Sequence, residues 1–190
     1  CHKAIKSICL TMIIGRKGLC TQEPDMKRGT IHIYSGDGHG KSPAALGRAV
    51  SMACQGKSVV IIQFLKGRGL EDSEFLRRME PEIKLFRFEK SEGNFAELSI
   101  EQQADEIINI KNGLNFAKKV LCTGGCDLLI LDEVLRLIDN GIISVEELKG
   151  ILDMRSDESM DVIMTGTTLS ADVCVLADEV TRLATVKGGL

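Results

Sequence analysis

"IHIYSGDGHGKSPAALG", Ile31 to Gly47, joins a β-branched run to an alanine-rich run through a segment holding Gly36, Gly38 and Gly40. Strand, glycine-rich turn and helix start, in that order, form the context a phosphate-binding loop demands. Backbone N–H groups in such a turn converge on phosphate oxygens, and the following helix adds the positive end of its dipole. Lys41 contributes a mobile charge, and the Ser42 hydroxyl can ligate Mg²⁺. The match to G-x-x-x-x-G-K-[ST] is imperfect, because Ser35 stands where the first glycine belongs while Gly40, Lys41 and Ser42 are in place. A glycine-rich hairpin or linker is the alternative reading of the loop taken alone.

Pro43 follows directly. Its ring suits a first helical turn, where the missing N–H breaks no internal hydrogen bond, but it disfavours helical dihedrals at Ser42. It also removes a donor that could point at phosphate, and that loss falls on the ligand. A protonated His39 could partly replace it; an exposed loop histidine is the plainer reading.

Outward from this loop, short β-branched runs alternate with longer helical stretches, which predicts an α/β fold with a mostly parallel sheet and helices on both faces. The strand candidates are 30–34, 58–64, 83–88, 128–131, 162–165 and 179–184; the helix candidates are 43–55, 71–79, 100–120, 145–152 and 170–177. Ser99 with Gln102 has the spacing of a capping box. "CDLLILDEV" places Asp132 and Glu133 at the carboxyl end of a wholly apolar strand. That end of a doubly wound sheet is the ligand side, where a Walker B acid helps hold Mg²⁺. An acid that merely caps the next helix is the alternative.

The 190 residues suffice for one hydrophobic core, and 44% apolar with 27% charged residues describes an ordinary globular domain. A formal charge of −3 argues against a chain that coats nucleic acid or anionic membrane, and one tyrosine with no tryptophan argues against base-stacking platforms. Seven cysteines without CxxC spacing support neither a disulfide framework nor a zinc site, and indicate a reducing cytoplasm. Residues 1–28 read as a flexible lead-in ahead of a domain at 29–190. The start at Cys1, without methionine, reads as processed, truncated or oddly defined.

"GDGHGKSPAALGRA", "VVIIQFLKG", "LLILDEV" and "MTGTTLSADVCVLADEVTRL" together resemble the ATP:corrinoid adenosyltransferases that share a RecA-like P-loop fold. The family loop, usually G-N-G-K-G-K-T-T, also lacks the first Walker glycine. The resemblance runs from Gly29 to about Val186, firmest in the strands. It implies transfer of the 5′-deoxyadenosyl group of ATP to a reduced Co(I) corrinoid, with triphosphate leaving, in cobalamin synthesis or salvage. It further implies ATP held in reverse of most P-loop enzymes, a flavoprotein-type reductant and a homodimer. Carried across, Gly36, Asp37, Gly38, His39, Gly40, Lys41 and Ser42 clasp the triphosphate. Ser42, Asp132 and Glu133 organise Mg²⁺, Lys66 approaches the ligand, and Phe95 belongs to the segment that closes over the corrin.

Several positions depart from that pattern. His39 stands for the loop lysine, Ser42–Pro43 for Thr-Thr, Asp37 for Asn, Glu97 for a tryptophan and Thr167 for an arginine; the chain ends at "TVKGGL", where relatives continue. The loop changes each weaken polyanion binding. A nucleotide- or corrinoid-binding module without catalysis and a generic P-loop kinase or NTPase are the competing readings.

Overall fold

The computed structural model describes residues 28–65, 78–90 and 94–186. Six parallel strands form one sheet: β1 (Ile31–Ser35), β2 (Val59–Phe64), β3 (Ile83–Phe88), β4 (Leu128–Asp132), β5 (Asp161–Gly166) and β6 (Glu179–Arg182), in the order β3-β2-β4-β5-β1-β6. The helices are α1 (Lys41–Ala53), α2 (Ile100–Thr123), α3 (Leu135–Asp139), α4 (Val145–Leu152) and α5 (Ala171–Cys174), with a 3₁₀ turn at Phe95–Glu97.

Period-2 alternation divides the apolar residues between two faces. Val59 and Ile61 of β2, Leu128 and Ile130 of β4 and Ile163 of β5 pack against Ala45, Ala49 and Met52 of α1. The opposite face buries Val60, Ile62 and Phe64, Leu129 and Leu131, with Ile110, Leu114, Ala117 and Leu121 of α2 and Leu148 and Ile151 of α4. β2 and β4 are buried along their whole length. That is why Val59–Ile62 and Leu128–Leu131 read as unbroken apolar runs.

Strand β3 and helix α4 occupy the predicted residues, and Ser99 and Gln102 form the expected reciprocal cap. Helix α1 begins at Lys41, two residues ahead of the prediction, so Ser42 lies inside it despite Pro43. The tertiary hydrogen bond from the Ser42 hydroxyl to Asp132 offsets the local bias of an X-Pro pair. The last strand stops at Arg182, and the helix expected at 170–177 shortens to one turn capped by Ser170. The helix expected at 71–79 lies outside the described residues except for 78 and 79, which are a turn. The lead-in also lies outside them, apart from Arg28. Among the described residues no helix is long and apolar enough to cross a membrane.

Candidate functional site

Ser42 lies on the same helical stripe as buried Ala45, Ala49 and Met52, so its side chain faces the sheet. On the strands the matching parity is carried by Gln63, two residues after Ile61, by Asp132, two after Ile130, and by Thr165, two after Ile163. Gln63 and Asp132 are paired in register on neighbouring strands. All four side chains therefore meet where the carboxyl ends of the strands reach the start of α1.

Asp132 is their hub. It accepts from Ser42 Oγ at 2.7 Å and Thr165 Oγ1 at 2.7 Å on one oxygen, and from Gln63 Nε2 at 2.8 Å on the other. Thr165 Oγ1 also accepts from the Glu133 backbone N–H at 2.8 Å. A buried carboxylate costs heavily unless its oxygens are satisfied, and these donors fix its orientation as well as satisfy it.

Lys41 is buried and folds back over the loop, its Nζ donating to the carbonyls of Gly36 at 2.7 Å and Gly38 at 3.1 Å. In this state the ammonium is held by the loop that it would share with an anion. The tail after β6 runs beside it, with the Leu183 N–H donating to the Ser35 carbonyl at 2.7 Å. Gly36 has φ +145°, and a Cβ there would collide with the Leu183 carbonyl; a Cβ at Gly38 would stand 2.6 Å from Thr185 Oγ1. The backbone of Leu183 thus requires a glycine at 36, whereas at 38 the contact is with the side chain of exposed Thr185, which can turn aside.

Glu133 turns the chain out of β4 with φ +61°, in the left-handed region. Its Oε2 is buried with no hydrogen-bond partner among the described residues, as is Ser35 Oγ on β1. Arg136 on α3 brings Nε to 4.0 Å from Glu133 Oε2 and donates from Nη1 to the Leu65 carbonyl at 3.0 Å.

The structure thus joins Lys41 to Gly36 and Gly38, and Ser42 to Asp132, while Glu133 meets this cluster through its backbone N–H on Thr165. Asp37, His39 and Gly40 are exposed along the loop. Phe95 is only 8% exposed and packs in the core on the α2 side. Lys66 lies outside the described residues. Gln63, Thr165 and Arg136 carry contacts of their own outside the Walker-type motifs. A lone polar residue set within or just after a run of buried apolar residues is the signal that marks the first two.

Cys122 is exposed and Cys126 buried, and burial raises the Cys126 thiol to about 11. No group of three or more His, Cys, Asp or Glu side chains with metal-binding placement occurs among the described residues. Two roomier clefts, of about 780 and 530 Å³, are lined by residues such as Arg48 and Asp161, or Lys149 and Asp178, and contain neither Lys41 nor Asp132.

The sequence profile of the family described as ATP:corrinoid adenosyltransferase BtuR/CobO/CobP matches residues 27–189. The chain belongs to this ATP:corrinoid adenosyltransferase family. It is 29% identical over 161 residues to the corrinoid adenosyltransferase of Escherichia coli strain K12, covering 85% of this chain and 79% of that protein. The same figures hold for the corrinoid adenosyltransferase CobA of Salmonella typhimurium strain LT2, and identity is 27% to the corrinoid adenosyltransferase of Pseudomonas aeruginosa. Among solved structures, the KaiC-like protein PH0186 of Pyrococcus horikoshii OT3 superposes with a TM-score of 0.54 at 18% identity, covering 83% of this chain and 72% of that one. The flagellar accessory protein FlaH of Methanocaldococcus jannaschii gives 0.52, also at 18% identity, covering 82% and 71%. These likenesses establish the shared fold.

Proposed function

We propose that the loop Gly36–Ser42 and the acids Asp132–Glu133 form the triphosphate site of an enzyme that transfers the 5′-deoxyadenosyl group of ATP to a Co(I) corrinoid. The observation that carries this reading is the 2.7 Å hydrogen bond from Ser42, beside the loop lysine, to Asp132 at the end of β4. It joins the two halves of a Walker-type site. Family membership favours adenosyl transfer over a kinase or a general NTPase.

In this reaction the Co(I) lone pair forms a bond to C5′ of the ribose, the C5′–O bond breaks, and triphosphate leaves with that electron pair. No general base is needed; the protein must orient C5′ and stabilise charge on the leaving group. The loop amides and the start of α1 bind the polyphosphate, and Lys41 exchanges the carbonyls of Gly36 and Gly38 for phosphate oxygens. Ser42, Asp132 and Glu133 supply hard oxygen donors of the kind Mg²⁺ takes, and Glu133 Oε2, which has no hydrogen bond among the described residues, fits that role. Bound there, the cation would neutralise charge on the departing triphosphate. The proposal further includes Lys66 near the ligand, Phe95 in the segment that closes over the corrin, a flavoprotein-type reductant that makes Co(I), a homodimeric assembly and a cytoplasmic setting. Free Cys54, Cys122, Cys126 and Cys174 agree with a reducing compartment.

Anaerobic incubation with ATP, Mg²⁺ and a chemically reduced corrinoid tests the reading. It should yield a light-sensitive cobalt–carbon product and inorganic triphosphate. Formation of ADP without that product would refute it. Lys41→Ala should weaken ATP binding by roughly tenfold to a hundredfold in calorimetry.

A further inference from the structure

Leu65, with φ +44°, and Glu133, with φ +61°, are the non-glycine residues with positive φ among the described residues. They lie at the carboxyl ends of β2 and β4, which are neighbours in the sheet, each just past the registered pair Gln63 and Asp132. An L side chain avoids this region, and such residues persist where surrounding contacts over-determine them. One side chain reaches both. Arg136 Nη1 donates to the Leu65 carbonyl at 3.0 Å, and Nε stands 4.0 Å from Glu133 Oε2.

An i,i+3 ion pair on an exposed helix contributes little. This pair differs, because the Glu133 side chain is only 11% exposed and its Oε2 has no hydrogen bond among the described residues. The guanidinium is thus the charge that compensates a buried carboxylate oxygen, while its other arm is fixed on the backbone of a second strand. A planar fork can serve two acceptors at once; an ammonium cannot reproduce that geometry.

We propose that Arg136 is a positioning residue for nucleotide binding: it clamps the end of β2 to the end of β4 and aims the Glu133 carboxylate into the triphosphate site. The proposal rests on the reading of Glu133 as a cation ligand, and Arg136 acts through that residue without touching the nucleotide.

Calorimetric ATP titrations with and without Mg²⁺ on the full chain test it, using wild type, Arg136→Met, Arg136→Lys, Glu133→Gln and the Arg136→Met/Glu133→Gln double variant. The gain in ATP affinity that Mg²⁺ provides should fall about tenfold in Arg136→Met. Arg136→Lys should recover part of it. In the Glu133→Gln background, Arg136→Met should change that gain by less than about twofold, since the interaction it breaks is already gone. An unchanged gain in Arg136→Met, or an equal loss in both backgrounds, overturns the proposal. Urea unfolding of the same ligand-free proteins keeps the two readings apart. Coupling between positions 136 and 133 of at least about threefold in the folding constant supports the clamp, and simple additivity overturns it. Should wild type bind no ATP, the nucleotide-site reading falls and this unfolding cycle still decides the clamp.

Discussion

At Pro43 two demands oppose each other. The residue is exposed at the third position of α1, where an N–H would have no intrahelical partner, so the helix loses nothing by its absence. An anion at the helix start does lose a donor. Pro43→Ala should therefore separate stability from binding: about 0.4–1 kcal/mol less stable, through a freer unfolded chain, yet tighter for ATP by roughly tenfold. Urea unfolding and calorimetry on the same preparation read both signs, and a variant that is weaker in both would show that Pro43 shapes the loop. Gly36 is different, because its φ of +145° and the Leu183 carbonyl leave no room for a Cβ. Gly36→Ala should cost about 1–3 kcal/mol of stability as well as ATP affinity, seen as a lower thermal midpoint.

Helix α2 shows how an element can be held against its own propensity. Gly113 sits mid-helix, where alanine would add about 1 kcal/mol of intrinsic stability. A Cβ there, however, would approach Phe88 Cγ at 2.6 Å and Phe64 Cε1 at 2.8 Å. Overpacking of this kind costs about 1–3 kcal/mol, so Gly113→Ala should be destabilising on balance in urea unfolding, and a gain would mean the two rings move aside. At this scale the sequence was most readable where a local rule acts alone. The reciprocal cap at Ser99 and the apolar runs Val59–Ile62 and Leu128–Leu131 follow from short-range chemistry and burial on both faces. Helix α3 leaves no sequence signal, because Leu135–Asp139 has five residues and no side-chain cap, and it follows directly on the turn at Glu133. Lys41, Ser42 and Asp132 were legible as a motif. The parts played by Gln63, Thr165 and Arg136 were not, since each depends on which strand stands beside which.

Across the whole molecule, the strand order that builds the proposed nucleotide end also packs charged groups beside β1 on the α1 face. His32 shares Nε2 with Thr181 Oγ1 at 2.8 Å and lies edge-on to Tyr34 with ring centroids 4.5 Å apart. Its pKa falls below the ordinary 6.5 because burial disfavours the imidazolium; Glu179, with a carboxylate oxygen 3.4 Å from Nδ1, opposes that shift and Arg48 adds to it. A histidine depressed in the folded state binds protons more readily when unfolded. Its contribution to stability is therefore complete above about pH 6.5 and is lost as pH falls from there through the folded value. Wild type should lose stability between about pH 7.5 and about pH 5.5, and His32→Gln, which keeps a polar partner for Thr181 but cannot titrate, should lose less. Urea midpoints at the two pH values measure the difference. Parallel slopes would place the acid sensitivity elsewhere, and a steeper slope in His32→Gln would mean that Glu179 outweighs burial and the imidazolium is favoured by folding.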